Sequence, residues 1–543
     1  MAAGTPLDTR RLLPRLADEW GPVALAVIGA VALALAGWHG KDYAASTYRV
    51  DGFGDHGLVL WDTAWYGGNY PLGYSVLFPP LGALLGLALT GVVSAAVCTW
   101  CFDHLVRRFW GRRLAGSWLF ALTTTLEVGI GQFPYLVGQA FALVAVVAAT
   151  RRRHRLAVVA GIAAALCSGV AGVFLAVAVV GWAWSAKDRR GPLVALAVIP
   201  IVALGVFNVA FPGTGSFPYP VTGLVWVVVT CAAAFAPPLR VAPAVRAAAL
   251  CYAALALGAF VIASPMGGNA NRLAQSVGIP LLACFAFSPA AAAQGARRRP
   301  RGWPRGWYAV LAVVVVPLVV WQWAPGENVV LAVSRAGPTT AGFYRPLVAA
   351  VAARAAAPVR VEVVPTEQHW ESVYVAQHDL VARGWERQLD IGDNPIFYRP
   401  GALNAPAYRR WLLTSGVSFV ALPDAPLDYA ATAEAKLLRS GTVPGLTLVW
   451  RSAQWQLWQV DASPGLLSGP GRVTEVGPDA VTVSARGAAT LTVRVRWTRY
   501  WTVRSGAACI AEAPGGWTTI DARGPGVIRL GTTFDPLGGG GHC

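Results

Sequence analysis

Charged residues are scarce in this chain of 543 residues: Asp, Glu, Lys and Arg make up 13% of it, and only 27 residues are acidic. Hydrophobic residues make up 55% of the chain, and its mean hydropathy is +0.50. Repeated apolar runs of about 17–20 residues are long enough to cross a bilayer as helices. This composition excludes a soluble globular protein and predicts an integral membrane protein.

The sequence also lacks the short motifs of several enzyme classes. It has no Gly-rich phosphate loop, no HExxH zinc motif, no convincing nucleophile triad and no nucleotide fingerprint. A binding site for a nucleotide, including a nucleotide sugar, is therefore not expected. Cys98 and Cys101 form a CxxC pair, but they lie at a helix end without a thioredoxin-like context, so we assign them no redox role.

Basic residues lie in tight clusters between the apolar runs, at 107–113, 151–155, 187–190 and 297–305. A formal net charge of +17 could indicate nucleic-acid binding. This placement is instead typical of short cytoplasmic loops under the positive-inside rule. The expected partner is thus the lipid bilayer, and no nucleic acid is expected.

With those clusters in the cytoplasm, the chain crosses the membrane about 11 times. We predict a cytoplasmic N-terminus (1–20), a transmembrane domain (21–324) with a first outer loop at 39–75, and an extracytoplasmic remainder. Residues 156–186 carry basic clusters at both ends and would span roughly 45 Å as one helix. We interpret them as two short helices bending at Ser168 and Gly169, with one long tilted helix as the alternative. The predicted segments are 21–38, 76–98, 114–130, 133–150, the pair within 156–186, 192–211, 221–237, 246–264, 276–294 and 306–323.

The outer part changes character, because its apolar runs are short and polar residues are common. Strands at 416–424 and 446–460, with helices near 341–357, 405–415 and 430–440, predict an α/β domain over 325–462. Period-two alternation after 479 predicts a β-sandwich-like module within 463–543, which ends in a Gly-rich tail. The fold class is therefore an α-helical polytopic membrane domain followed by an extracytoplasmic α/β plus β-sandwich-like domain. Cys509 and Cys543 could form a disulfide in an oxidising compartment, unless the tail is disordered.

The first outer loop concentrates acids in a chain that has few. Asp51, Asp55 and Asp62 lie within a dozen residues, and His56 follows the second of them. A carboxylate can take the proton of an acceptor hydroxyl, and a neighbouring His can share that proton or a metal. The alternative is that an outer loop tolerates acids without using them. Nearby Trp65 and Tyr66 suit sugar stacking, or simply an interfacial aromatic belt.

The overall plan resembles the GT-C superfamily of polyprenyl-phosphate-dependent glycosyltransferases. The resemblance is carried by the short N-terminus, the aspartate-bearing first outer loop, the many membrane segments and the mixed outer domain. It implies that Asp51, Asp55 or Asp62 is a catalytic or metal-binding acid, and that the donor is a polyprenyl-phosphate sugar. "GIGQFPYLVG" (129–138), which contains Gln132, is similar to the Gly-Gln segment of some members.

Arg272 breaks the charge rule, because it is the one basic residue that we find in the predicted outer loops between 76 and 305. A lipid phosphate or a loop aspartate could pair with it, and Asn269 and Asn271 lie in the same stretch. The alternative is an Arg that snorkels among headgroups. Glu127 is a second ionisable residue whose position in a membrane segment is energetically costly. It could serve as a partner of Arg272 or as a metal ligand.

These residues predict an inverting membrane glycosyltransferase that moves a sugar from a polyprenyl-phosphate donor to a cell-envelope glycan or lipid acceptor, with Asp55 as first choice of base and Asp62 as second. A non-catalytic envelope-assembly protein and a transporter or lipid flippase remain alternatives. No cofactor is certain, and a divalent metal ion is one option. Polar and aromatic residues concentrated at 367–374 and 383–398 fit either a polysaccharide groove or a domain interface.

Overall fold

The computed structural model describes residues 9–111, 114–213, 215–236, 239, 241–286, 317–323, 337–535 and 542–543. The chain divides into two compact units. The helical unit is formed by described residues of Met1–Gly40, Leu84–Val206 and Pro218–Leu331, and the loop–sheet unit by those of Lys41–Ala83, Phe207–Phe217 and Ala332–Cys543. The first outer loop therefore clusters with the C-terminal part of the chain.

Helices dominate the described residues up to position 323. Among the described residues, four helices are long and apolar enough to cross a membrane: Leu87–Trp110, Phe133–Thr150, Lys187–Ala210 and Pro243–Val261. Shorter apolar helices include Trp20–Leu35, His154–Cys167, Gly169–Ser185 and Val221–Ala233. The helix bounds are Thr9–Leu35, Tyr43–His56, Pro71–Tyr74, Phe78–Leu85, Leu87–Trp110, Leu114–Ile130, Phe133–Thr150, His154–Cys167, Gly169–Ser185, Arg190–Ala210, Val221–Ala233, Pro243–Val261, Asn271–Leu273 and Ile279–Ala286.

The helix pair predicted within 156–186 is present, because Ser168 adopts an extended conformation between two helices. The segment predicted at 76–98 differs from the structure. It is interrupted at Gly86, whose φ of 75° favours glycine, and the long helix begins at Leu87. The second half of the predicted segment 276–294, the first part of 306–323 and the basic cluster at 297–305 lie outside the described residues.

Small side chains allow the helices of the helical unit to approach closely. A Cβ on Gly172 would lie 2.7 Å from the Cβ of Ala165, and one on Gly181 would lie 2.4 Å from the backbone nitrogen of Ala248. Alanines dominate the buried cluster between the helices at 133–150, 154–167 and 169–185. Close packing of small residues is a main source of helix association in a bilayer, where no hydrophobic driving force acts between helices.

The loop–sheet unit contains a five-stranded sheet with the strand order β2-β1-β3-β5-β4. Strands β2, β1 and β3 are parallel, whereas β3, β5 and β4 are antiparallel. Helices Ala341–Ala352, Glu371–Tyr374, Arg387–Asp393, Ala405–Thr414 and Thr432–Arg439 accompany it. The strand bounds are β1 Arg360–Val363, β2 Leu380–Val381, β3 Val417–Pro423, β4 Leu446–Arg451 and β5 Trp455–Val460. This arrangement matches the elements expected for an α/β domain.

Two four-stranded sheets follow, with the strand orders β10-β13-β8-β7 and β11-β12-β9-β6. Their alternating inward residues, such as Val481, Val483, Leu491 and Val493, form one core. Cys509 and Cys543, whose pairing the sequence left open, form a disulfide. The strand bounds are β6 Leu467–Ser468, β7 Gly471–Gly477, β8 Ala480–Ala485, β9 Ala489–Arg496, β10 Trp501–Ser505, β11 Ala508–Ala513, β12 Trp517–Ala522 and β13 Gly526–Thr532.

The first outer loop is built into this unit by backbone hydrogen bonds. The N–H of Thr63 donates to the carbonyl of Pro478 at 2.8 Å, and the N–H of Val381 donates to the carbonyl of Ala64 at 2.9 Å. The side chain of Trp61 belongs to the core of the two four-stranded sheets. The segment after the loop helix (Tyr43–His56) is therefore held by both parts of the C-terminal fold.

Candidate active site

The loop–sheet unit contains a cavity of about 730 Å³ beside the first-loop aspartates. One wall comes from the loop helix and the segment that follows it. The other comes from the residues before β2 and from the turn after β7. The titratable lining residues are Tyr48, Arg49, Asp51, Asp55, His56, Asp62, His378 and Asp379. All four residues predicted as catalytic thus line one cavity, together with apolar side chains that include Phe53, Leu72 and Val76.

Asp51, Asp55 and His56 lie on the last two turns of the loop helix and are exposed. Asp51 and Asp55 are one turn apart, so their carboxylates share a face of the helix. Partial burial, and next the Asp55 carboxylate, raise the pKa of Asp51. Carboxylates near a helix C-terminus also oppose the helix dipole. These acids therefore lower the stability of the loop helix, which is common for functional groups.

Asp62 differs from its neighbours because it is buried and fixed, with 7% of its surface exposed. Its Oδ2 accepts a hydrogen bond from the Tyr48 hydroxyl at 2.8 Å, and its Oδ1 accepts one from the N–H of Ala64 at 2.9 Å. Paired backbone bonds between Asp62 and Asn69 close the loop around it. Burial raises the pKa of Asp62 in spite of these hydrogen bonds and the nearby charge of Arg49.

Arg49 is the one cation among the described residues that line the cavity. Its guanidinium donates to the Glu386 carboxylate at 2.9 Å and lies 3.8 Å from the ring centroid of Tyr74. Because Glu386 compensates its charge, Arg49 leaves the cavity acidic overall. The cavity therefore suits a neutral polyhydroxyl group beside carboxylates that can accept its protons.

Trp65 and Tyr66, for which the sequence suggested sugar stacking or an interfacial aromatic belt, are not among the residues that line the cavity. Trp65 is 2% exposed, stacks on Tyr48 and donates from its indole to the carbonyl of Ser372 at 2.9 Å. Tyr66 is 3% exposed, and its hydroxyl accepts from the N–H of Glu386 at 2.9 Å. Their rings are buried by packing against the C-terminal fold, so they support the loop.

His378 and Asp379 are cavity residues that sequence reasoning missed. They immediately precede the short strand β2, within the sequence "AQHDLV". Two adjacent titratable residues before a strand were the available signal. Strand β2 has only two residues, which is too short for a sequence pattern to reveal. The sequence therefore showed no sign that His378 and Asp379 lie near the first loop.

Other predicted site residues meet inside the helical unit. Glu127 and Arg272 lie close enough to interact electrostatically, and the role of Glu127 as a partner of Arg272 or a metal ligand stays a prediction. The Arg272 guanidinium lies 5.5 Å from the ring centroid of Tyr135, whose hydroxyl bonds the Ser276 hydroxyl at 2.9 Å. The N–H of Gln132 donates to the Glu127 carbonyl at 3.1 Å, which joins the Gly-Gln segment to this group.

The two predicted asparagines of the helical unit lie in a short 3₁₀ turn and helix at Gly267–Leu273. Asn269 donates to the carbonyl of Pro265 at 3.1 Å, so its amide supports its own turn. The side-chain oxygen of Asn271 is buried without a hydrogen bond among the described residues. A π-helical segment, Ala274–Gly278, follows directly, and such segments are frequent at functional sites. Substrate binding by Arg272 and these residues stays a prediction.

The polar residues at 367–374 and 383–398 are mostly buried, which favours the domain-interface interpretation. His369 is 2% exposed, stacks on Trp385 at 3.7 Å, and lies 3.3 Å from carboxylate oxygens of both Glu371 and Asp428. Arg387 donates to Asp428 at 2.7 Å. Although burial alone would raise it, His369, Arg387 and Lys41 hold the pKa of Asp428 below its usual range.

The donor atoms needed for a metal centre do not converge at the loop aspartates. Among the described residues, one group of three such ligand atoms meets within 4.8 Å, and it comprises Cys509, Asp521 and Cys543. Both of its cysteines are engaged in the disulfide, so their sulfurs are not free thiolates. We therefore derive no step through a metal ion.

No known protein family matches the sequence, and no curated protein matches it. Solved structures to which the chain is similar include the arabinofuranosyltransferase AftD from Mycobacteria, with 16% identity, 84% of this chain and 40% of AftD covered, and a TM-score of 0.44. The chain thus spans less than half of AftD. ArnT from Cupriavidus metallidurans bound to undecaprenyl phosphate aligns with 16% identity over 82% of this chain and 99% of ArnT, with a TM-score of 0.39.

The archaeal oligosaccharyltransferase AglB from Archaeoglobus fulgidus, in complex with an inhibitory peptide and a dolichol-phosphate, aligns with 10% identity. The alignment covers 75% of this chain and 69% of AglB, with a TM-score of 0.42. AftD and ArnT are GT-C glycosyltransferases, the superfamily that the sequence resembles. At TM-scores below 0.5, these likenesses assign no activity, donor or acceptor to the chain.

Proposed function

We propose that the protein is a membrane glycosyltransferase that moves a sugar from a polyprenyl-phosphate donor to a hydroxyl of a cell-envelope glycan or lipid. The observation that carries this proposal is the cavity of about 730 Å³, into which the first-loop aspartates converge with His56. A cavity with a few convergent polar groups and titratable residues in unusual surroundings is the usual form of an active site.

The proposed chemistry is a single displacement at the anomeric carbon. A loop carboxylate takes the proton of the acceptor hydroxyl, whose oxygen then bonds the sugar as the bond to the lipid phosphate breaks on the opposite face. The configuration at that carbon is inverted. No general acid is needed, because a phosphate leaves readily as an anion.

Of the three aspartates, Asp55 is the first choice of base. It is exposed to the cavity and adjoins His56, which can share its proton. Both carboxylate oxygens of Asp62 already accept hydrogen bonds from Tyr48 and Ala64. Asp62 is therefore better suited to hold the first-loop wall of the cavity in position, and it remains the second choice of base.

Asparagine substitution tests this assignment. Asp55→Asn keeps the side-chain shape but removes the base, and we expect transfer from a polyprenyl-phosphate sugar to fall by about 10²–10⁴. Asp51→Asn and Asp62→Asn, assayed in parallel in reconstituted vesicles, rank the three carboxylates. Exposed Asp424, in the same unit but outside the cavity lining, provides the control variant Asp424→Asn. Full transfer by all three loop variants would exclude the catalytic role and favour a non-catalytic or transporting protein.

The proposal includes an orientation, because a lipid-linked donor is needed where nucleotide sugars are scarce. We propose about 11 crossings, a cytoplasmic N-terminus and an extracytoplasmic loop–sheet unit. A single cysteine replacing exposed Ser440 should react with a membrane-impermeant thiol reagent in intact cells, whereas one replacing exposed Arg153 should not. The native cysteines are first replaced by alanine. The reverse labelling pattern would invert the proposed topology.

A further inference from the structure

The cavity has a second acidic wall that does not belong to the first loop. Asp379 and His378 line it from the residues immediately before β2, which belong to the same unit as the loop helix. Asp379 is partly buried, whereas His378 is exposed. Asp379 thus combines a partly buried carboxylate with an exposed imidazole on the adjacent residue.

Strand β2 fixes Asp379 relative to the first loop. The N–H of Val381, two residues after Asp379, donates to the carbonyl of Ala64 at 2.9 Å. The N–H of Ala64 in turn donates to Asp62. Ala64 therefore links the backbone that carries Asp379 to the carboxylate of Asp62, through one hydrogen bond at its carbonyl and one at its N–H.

A second tie holds the same two segments together. The buried indole of Trp65 donates to the carbonyl of Ser372, in the helix just before Asp379. The N–H of Leu380 donates to the carbonyl of Val359 at 3.2 Å, which attaches β2 to the segment leading into β1. These hydrogen bonds hold the backbone at Asp379 in place. A side chain that takes part in every turnover needs such a fixed position.

We propose that Asp379 is a second proton-accepting carboxylate of the cavity, which passes the acceptor proton from the loop aspartates to solvent. This inference rests on the proposed function. The acceptor O–H bond breaks and its proton goes to a loop carboxylate. The proton then moves through cavity water to Asp379 and leaves past exposed His378. The loop carboxylate is ionised again for the next turnover, and no group is oxidised or reduced.

The surroundings of Asp379 suit this role. Burial raises the pKa of Asp379 to about 6, while neighbouring His378 opposes the rise. A proton carrier works best with a pKa near the working pH, and an ordinary aspartate, at about 3.9, lies well below it. The other titratable groups that line the same cavity are Tyr48, Arg49, Asp51, Asp55, His56 and Asp62.

The first test is the pH dependence of transfer by the full-length protein in vesicles. Asp379→Asn should lower kcat by about 10²-fold, the lower end of proton-transfer contributions, and should remove the rise of kcat through pH about 6. Asp379→Glu should restore much of the rate. Asp424→Asn should behave like the wild type. An unchanged kcat and pH profile in Asp379→Asn, with an active wild type, would overturn this inference and leave the proposed function intact.

The second test follows the carboxyl group itself. Carbodiimide activates protonated carboxyls, so amine coupling to Asp379, measured by mass spectrometry of the full-length protein, should fall with a midpoint at pH about 6. A midpoint in the ordinary aspartate range, or no coupling at any pH, would contradict the proposed role. Absence of transfer by the wild type with any polyprenyl-phosphate sugar would instead overturn the proposed function, and the relay with it.

Discussion

The loop–sheet unit contains two groups of carboxylates in opposite environments, one exposed and one buried. At the cavity, Asp51 and Asp55 are exposed at the end of a helix, where the helix dipole and their mutual repulsion oppose them. Away from the cavity lining, Glu362 and Glu434 are fully buried around Arg383. The first group costs stability and remains accessible, whereas the second is buried beside a cation. Accessibility, rather than the number of acids, separates the candidate site from the framework.

The framework group is organised by one cation. Arg383 contacts Asp390 at 2.9 Å, Glu434 at 3.1 Å and Glu362 at 3.6 Å. The Tyr408 hydroxyl donates to Glu434 at 2.6 Å. Burial, and then the Glu434 carboxylate, raise the pKa of Glu362. Arg383 is therefore the cation that the three buried carboxylates share.

The largest expected effect comes from breaking this balance. Arg383→Met keeps much of the side-chain volume but leaves buried carboxylates without their cation. We expect a loss of about 3–5 kcal/mol in the free energy of unfolding, measured by denaturant titration of the full-length protein in detergent. Exposed Arg399 gives the control Arg399→Met, which should change stability by no more than about 0.5 kcal/mol.

Adding Glu362→Gln to Arg383→Met sharpens the result. The second substitution removes one buried carboxylate, and the double variant should recover part of the lost stability. If Arg383→Met unfolds at the same denaturant concentration as the wild type, the buried group is not held by its cation. The contrast between the two groups of acids would then be wrong.

Sequence patterns predicted elements wherever the pattern was local. The strands at 416–424 and 446–460 and the bend at Ser168 were found, because alternation, apolar runs and small residues mark them directly. The four predicted loop residues line one cavity, and the sequence singled them out because acids stand out in a chain with so few. Their catalytic role stays a prediction. The number of membrane crossings stays a prediction, since four described helices meet the criteria of length and composition.

The sequence could not show what the first loop packs against. Val381 bonds Ala64 although more than 300 residues separate them, and no local pattern encodes such a pairing. For the same reason the sequence suggested either sugar stacking or an interfacial aromatic belt for Trp65 and Tyr66, and could not show that their polar atoms bond Ser372 and Glu386. Aromatic residues beside acids fit a binding groove and a buried interface equally well until the partners are known.

The smallest expected effect concerns the stability cost of the exposed acids. Asp51 and Asp55 repel each other one turn apart, and partial burial adds to the penalty on the ionised form of Asp51. Asp51→Asn should therefore raise the free energy of unfolding at pH 7 by about 0.2–0.5 kcal/mol, the range for like charges at this spacing.

The pH dependence of that gain follows from the raised pKa. A carboxyl whose pKa is higher in the folded state loses stabilising free energy as the pH rises from its ordinary range, about 3.9, through the folded-state value. The gain of Asp51→Asn should therefore be full at pH 7 and should disappear below pH about 3.5, where the carboxyl is protonated in both states. Denaturant titrations at both pH values, with Asp424→Asn as the reference, measure it. A loss of stability at pH 7 would mean that Asp51 is held by the framework, like the buried acids, and does not strain the cavity wall.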